Sequence, residues 1–144
     1  LTVQENILLV NKNADAEGLL SRAGLLGAAN LYPKELSGGM ARRVALIRAF
    51  AYPAKLLLLD EPFFGFDPAL KELMIAEIER LLKEDSRTTV LVTHEAKEAV
   101  RLASRAVIIS GGKAVYDKSR LTPADENELY MKLVETGLSD FNRG

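Results

Sequence analysis

Leu56-Leu57-Leu58-Leu59-Asp60-Glu61-Pro62 decides how the rest of this chain is read. Four consecutive leucines are the run expected of a strand covered on both faces, as in a parallel sheet flanked by helices. The run ends on two acids, so the strand delivers a pair of carboxylates to one edge of its sheet. Asp67-Pro68 then joins a capping acid to a proline suited to the first helical position. Leu70, Leu73, Met74, Ile78, Leu81 and Leu82 follow at spacings that predict a helix of about four turns. Thr88 to Thr93 reads as a second strand, Glu95 to Ala103 as a short helix, and Ala106 to Ile109 as a third strand. Gly111-Gly112 suits a tight hairpin into Ala114-Val115-Tyr116. Alternating strands and helices predict an α/β fold on a parallel sheet. An exposed amphipathic helix is expected over Asp125 to Glu135.

Upstream of the strand the chain reads as helical. Thr2 and Glu5, three apart before Ile7-Leu8-Leu9-Val10, have the spacing of a capping box. Asp15 is placed to cap a second helix through Leu19, Leu20 and Ala23, with Gly24 and Gly27 marking its end. Ala28 to Leu36 reads as a loop in which Pro33 excludes a regular element. Ser37 then caps a helix with Val44, Ala45, Leu46 and Ile47 on one broad face, and Arg42, Arg43 and Arg48 on or beside the other.

Composition narrows the function classes. At 144 residues the chain can bury a real core, and 48% apolar content is that of a globular domain. No apolar run approaches the roughly 18 residues of a membrane span. Nineteen basic against twenty acidic residues give a net charge of −1, which argues against an electrostatic nucleic-acid binder. The absence of cysteine removes disulfides, thiolate metal sites and a cysteine nucleophile. The chain opens on Leu1 and shows no signal peptide, so it reads as a piece of a longer protein.

Three places carry candidate chemistry. Ser37-Gly38-Gly39 opens a helix, where unpaired N–H groups and the helix dipole favour an anion, and glycine lets the backbone approach it. Alone, the tripeptide is equally a turn that merely begins a helix. Asp60 can hold Mg²⁺ through water, and Glu61 beside it can orient an attacking water; in isolation they read as solvated loop acids. His94 is the one histidine and follows a strand end, where a neutral imidazole can meet a phosphate oxygen or the attacking water. Asp67 is already explained as a helix cap.

In order, these pieces resemble the nucleotide-binding subunit of an ATP-binding cassette (ABC) transporter. Tyr32-Pro33-Lys34-Glu35-Leu36-Ser37-Gly38-Gly39-Met40 resembles the family's signature motif, and Arg42 to Ala49 the helix after it. Leu56 to Pro62 resembles the Walker B strand with its catalytic glutamate, Gly65-Phe66-Asp67-Pro68 the D-loop, and Val92-Thr93-His94-Glu95 the switch-histidine motif. Ile108 to Lys113 resembles the strand and hairpin that follow, and Leu1 to Asn6 the segment just after the Q-loop. Departures are Met40 for the usual glutamine, and Phe64-Gly65-Phe66 for small residues before the D-loop aspartate. No G-x-x-x-x-G-K-[ST] loop occurs in the chain, nor a Q-loop glutamine or an adenine-stacking aromatic.

The resemblance implies a P-loop NTPase (RecA-like) parallel sheet with flanking helices and a helical signature-motif subdomain. It implies a helical part over 1–52, an α/β core over 53–124 and a C-terminal helix and tail over 125–144. Glu61 and His94 would be catalytic, Asp60 would hold the Mg²⁺ shell, and Ser37, Gly38 and Gly39 would bind the γ-phosphate of ATP held by a partner subunit. Asp67 would cross the interface of that head-to-tail dimer. Transmembrane permease subunits would be further partners, at the cytoplasmic face of the cell membrane, with no nucleic acid. The opening segment and the signature lead-in lean towards bacterial importers. The alternatives are a non-transport ABC ATPase, or a non-catalytic module that only presents its signature face. The strand feeding the phosphate loop would lie between the strands ending at Thr93 and near Ser110, so Leu91, Val107 and Ile109 are candidates for exposed apolar surface.

Overall fold

The computed structural model describes residues 1–84 and 87–141, the last four of these by their backbone alone. Two compact units divide the chain, Leu1–Val90 and a second beginning at Leu91.

The first unit opens with three helices, α1 (Val3–Val10), α2 (Ala16–Arg22) and α3 (Gly38–Ala51). Each start is fixed by its predicted cap. The Thr2 N–H donates to the Glu5 carboxylate at 2.7 Å, and Thr2 Oγ1 accepts from the Glu5 N–H at 3.3 Å. Asp15 accepts from the Gly18 N–H at 2.9 Å. A Cβ on Gly18 would fall 1.9 Å from Asp15 Oδ2, so any other residue there would have to displace the capping carboxylate. Gly24, at φ +65°, closes α2 in the left-handed region. Val3, Ile7, Leu20 and Ile47 are fully buried and form the seam between these helices.

The carbonyls at the end of α3 are all engaged. Arg48 accepts from the Tyr52 N–H at 3.2 Å and Ala51 from the Asn11 side chain at 3.1 Å. Arg87 donates to Ala49 at 3.4 Å, Phe50 at 3.0 Å and Tyr52 at 2.9 Å, with its guanidinium 5.9 Å from the Phe50 ring centre. A cation belongs there, where the helix dipole is negative.

From α3 the chain enters β1 (Leu56–Asp60), crosses through α4 (Pro68–Glu84) and returns as β2 (Thr88–Val92), which pairs with β1. A strand pair joined by a long helix is the βαβ unit of a parallel sheet, so the α/β class holds. The double coverage expected of β1 does not. Leu57 and Leu59 are buried, whereas Leu56 and Leu58 are 51% and 68% exposed. The pleat sends alternate side chains to opposite faces, and the described residues cover only one. On α4 the buried residues are Met74, Ile75, Glu77 and Ile78, while Leu73 lies outside.

Two local expectations also change. Pro33 starts a 3₁₀ turn over Pro33–Glu35 instead of excluding one, because its fixed φ suits a first helical position. Ala45 sits on the exposed side of α3, and Phe50 and Ala51 complete the buried face.

The second unit contains α5 (Ala96–Leu102), β3 (Arg105–Ser110), β4 (Lys113–Ser119) and α6 (Glu126–Phe141). As the glycine pair predicts, β3 pairs antiparallel with β4 in a two-stranded sheet. Gly111 and Gly112 both adopt positive φ, +54° and +74°, the two-residue turn that matches the twist of an antiparallel hairpin. Val107 and Ile109 are exposed, and Leu91 is half-buried. Ala96, Val100, Ile108, Leu121 and Leu129 form the core. Polar groups frame it: Tyr116 Oη donates to Glu128 at 2.9 Å, and Lys118 Nζ meets Asp125 at 2.9 Å and Glu128 at 2.5 Å. Among the described residues no helix is long and apolar enough to cross a membrane.

Candidate functional site

Ser37 sits at the N-cap of α3 with extended backbone, and its Oγ accepts from the Met40 N–H at 3.3 Å. Gly38 and Gly39 begin the helix, both exposed. A Cβ on either would meet nothing within 4 Å. Internal packing therefore gives no reason for glycine at these two positions. What glycine does supply is bare backbone N–H groups at the positive end of a 14-residue helix, open to an anion from outside.

Asp60 is the last residue of β1 and is exposed; Glu61 follows it, half-buried. The Glu61 backbone has φ +44°. Among the described residues only Arg120 shares a positive φ without being glycine. A left-handed glutamate breaks the strand sharply and turns its side chain away from the line of β1, at a cost in backbone strain. Two turns follow: the Phe64 N–H donates to Glu61 O at 3.1 Å and the Phe66 N–H to Phe63 O at 3.2 Å. Pro62 and Phe63 are buried beneath them. Asp67 ends the loop as the cap of α4, accepting from the Leu70 N–H at 3.0 Å.

The structure ties these two segments together. Arg42, on the exposed side of α3, donates through Nη1 to the Phe64 carbonyl and lies over the Phe64 ring, 5.9 Å from its centre. Sequence reading placed Arg42 only on the polar face of its helix, since nothing local pointed to a partner 22 residues away.

His94 lies in the second unit, 66% exposed, with Nε2 4.0 Å from a Glu95 oxygen. The turn bearing it is fixed from within: the Thr93 hydroxyl donates to Glu98 and accepts from the Glu95 N–H at 3.1 Å. Glu98 is 2% exposed, a carboxylate sunk into the apolar side of α5. It was overlooked in the sequence, although an acid between Ala96 and Val100 on a buried stripe was the available signal.

No group of three or more His, Cys, Asp or Glu side chains among the described residues is placed to enclose a metal ion. An exposed strand-end carboxylate suits a different role. Mg²⁺ keeps most of its waters and shares one or two carboxylates with bound phosphates, and Asp60 fits that mode.

Residues 1–64 match the ABC transporter family. The aliphatic sulfonates import ATP-binding protein of Burkholderia pseudomallei is 44% identical over 120 residues, covering 81% of this chain and 37% of that protein. Its counterpart from Paraburkholderia xenovorans is 42% identical, covering 81% and 35%. The chain thus spans little more than a third of these relatives. A dimeric ATP-binding cassette solved in a post-hydrolysis state with ADP and Pi superimposes with a TM-score of 0.67 and 29% identity, over 83% of this chain and 56% of that one.

Proposed function

This chain belongs to the ABC transporter family, and we propose that it forms the signature and hydrolysis part of an ATP-hydrolysing importer subunit. The observation that carries the reading is the left-handed backbone of Glu61, straight after the exposed Asp60. Strain of this kind persists where a side chain must be aimed, and here the side chain is a carboxylate at a sheet edge.

In this reading Glu61 accepts a hydrogen bond from the attacking water and orients it towards the γ-phosphate. Asp60 holds the Mg²⁺ shell, and the metal neutralises developing phosphate charge when bound. His94 contacts a γ-phosphate. Ser37, Gly38 and Gly39 cradle the γ-phosphate of a nucleotide gripped by the partner subunit. Asp67 reaches the head-to-tail dimer interface while capping α4. The dimeric state of the solved ATP-binding cassette supports such a pair.

The division into a helical part (1–52), an α/β core (53–124) and a C-terminal segment (125–144) belongs to the same proposal, as do permease partners and a place on the cytoplasmic face of the membrane. The relatives' shared description, aliphatic sulfonates import, supports an importer of small organic anions.

The test is reconstitution. The full-length subunit, joined to its permease in vesicles, is expected to hydrolyse ATP and to accumulate cargo only when ATP is supplied. Purified subunit with Mg²⁺ and ATP but no turnover, alone or with the permease, would overturn the reading.

A further inference from the structure

We propose that Arg42 is a positioning residue that holds the Glu61–Asp67 loop at a fixed place on the helix beginning at Ser37. The inner half of this loop is anchored by burial, with Phe63 only 1% exposed. Its outer half has no such anchor. Phe64 is 64% exposed, and the chain reverses at Gly65 with φ +78°. Turns of this sort, unsupported by packing, open readily.

Arg42 supplies the missing support through two contacts, and lies close to the Gly65 backbone as well. Its Nη1 donates to the Phe64 carbonyl, its guanidinium lies over the Phe64 ring, and a Cβ on Gly65 would come within 3.0 Å of the same Nη1. The flat guanidinium thus lies close against the loop backbone where the chain turns through the left-handed region that favours glycine. Two further facts give the brace a consequence. The loop starts at Glu61 and ends at Asp67, so fixing its midpoint limits both. Arg42 is rooted five residues after Ser37, so the loop is held in register with the glycine-bearing end of α3. On the proposed function, these two ends serve different nucleotides in the dimer, and Arg42 is the side chain that keeps their spacing constant.

The experiment uses the full-length subunit with Arg42→Ala, Arg42→Lys and Gly65→Ala. Arg42→Ala is expected to speed amide exchange at Phe64 to Phe66 about tenfold. It should also lower kcat about tenfold while leaving KM for ATP within about twofold, since a misplaced loop costs chemistry more than binding. Arg42→Lys keeps a long cationic donor and is expected to restore much of both. Gly65→Ala strains the left-handed turn in either background and also crowds Nη1, so it should cost less in Arg42→Ala than in wild type. Unchanged exchange in Arg42→Ala, or full additivity of the pair, would overturn the proposal. If Arg42→Ala does not fold, Arg42→Lys and Gly65→Ala decide by the same exchange measurement. A wild-type subunit without ATPase activity would remove the proposed function, whereas the exchange comparison would still decide whether Arg42 holds the loop.

Discussion

The Arg22 guanidinium reaches Glu77 across 55 positions of sequence, with Nε 2.9 Å from Oε1. Arg80 forks onto the same carboxylate, at 2.8 and 3.1 Å. Glu77 is 6% exposed, and its burial pushes the carboxyl pKa up. The hydrogen bonds and charges of Arg80 and Arg22 outweigh that and hold it below the usual carboxylate value. The group therefore stays ionised, and joins α2 to α4. Glu77→Gln is expected to destabilise the full-length subunit by about 2 kcal/mol, the loss of charge-assisted bonds tempered by two arginines that can rehydrate. Urea denaturation with an unchanged midpoint would contradict this.

Asp125 provides the acid-sensitive joint of the second unit. Its carboxyl is lowered from 3.8 to about 2 by the Lys118 ammonium and by Thr122. A depressed folded value means that the stabilisation is complete above 3.8 and drains away as the pH falls towards 2. Thermal midpoints of wild type and Asp125→Asn should therefore differ at neutral pH and converge near the acid end of that window. Parallel curves throughout would show that the ion pair does not contribute.

Thr93→Val removes the hydroxyl that links the His94 turn to Glu98 and leaves a buried carboxylate short of a donor. A loss of about 2 kcal/mol is expected. Glu98→Gln should cost less, because its amide oxygen still accepts from Thr93. The reverse order in chemical denaturation would mean that the hydroxyl is not the group holding this turn.

Glu61→Gln keeps the size and shape of the side chain and removes the charge proposed to orient water. ATP binding should survive while kcat falls by roughly 10²–10⁴. Near-wild-type turnover would assign Glu61 a structural role.

The 144-residue chain by itself leaves apolar sheet surface uncovered, with Leu58 at 68% and Ile109 at 71% exposure. Such faces and strand edges associate. Without a P-loop, the segment from Ser37 to Gly39 is the one phosphate cradle proposed for it, so it should bind ATP weakly and scatter light increasingly with concentration. Leu58→Thr with Ile109→Thr should reduce the scattering. A monodisperse wild-type monomer with a sharp thermal transition and micromolar ATP affinity would refute this expectation.

Signals contained within three or four residues were legible in the sequence. Thr2, Asp15, Ser37 and Asp67 each cap the helix they precede, and Gly111-Gly112 makes its hairpin. What depended on distant partners was not legible. The leucine run could not reveal that Leu56 and Leu58 lack a cover. The same boundary runs through the candidate site. Ser37, Asp60, Glu61 and His94 stand out by local pattern, whereas Arg42 and Glu98 acquire their meaning only from what they touch.

Synthesis proceeds from the N-terminus, so α3 emerges well before Arg87 does. In that interval the carbonyls of Ala49 and Phe50 have only water to accept from, while Tyr52 already has the Ala54 N–H and Asn11 is present for Ala51. Arg87 must then return over 35 to 38 residues to reach them, a closure whose entropic cost grows only slowly with length. The end of α3 thus acts as a waiting receptor, and the arrival of Arg87 sets where β2 begins alongside β1. A nascent chain stalled before residue 87 would carry its helices but lack the key that seats the second strand.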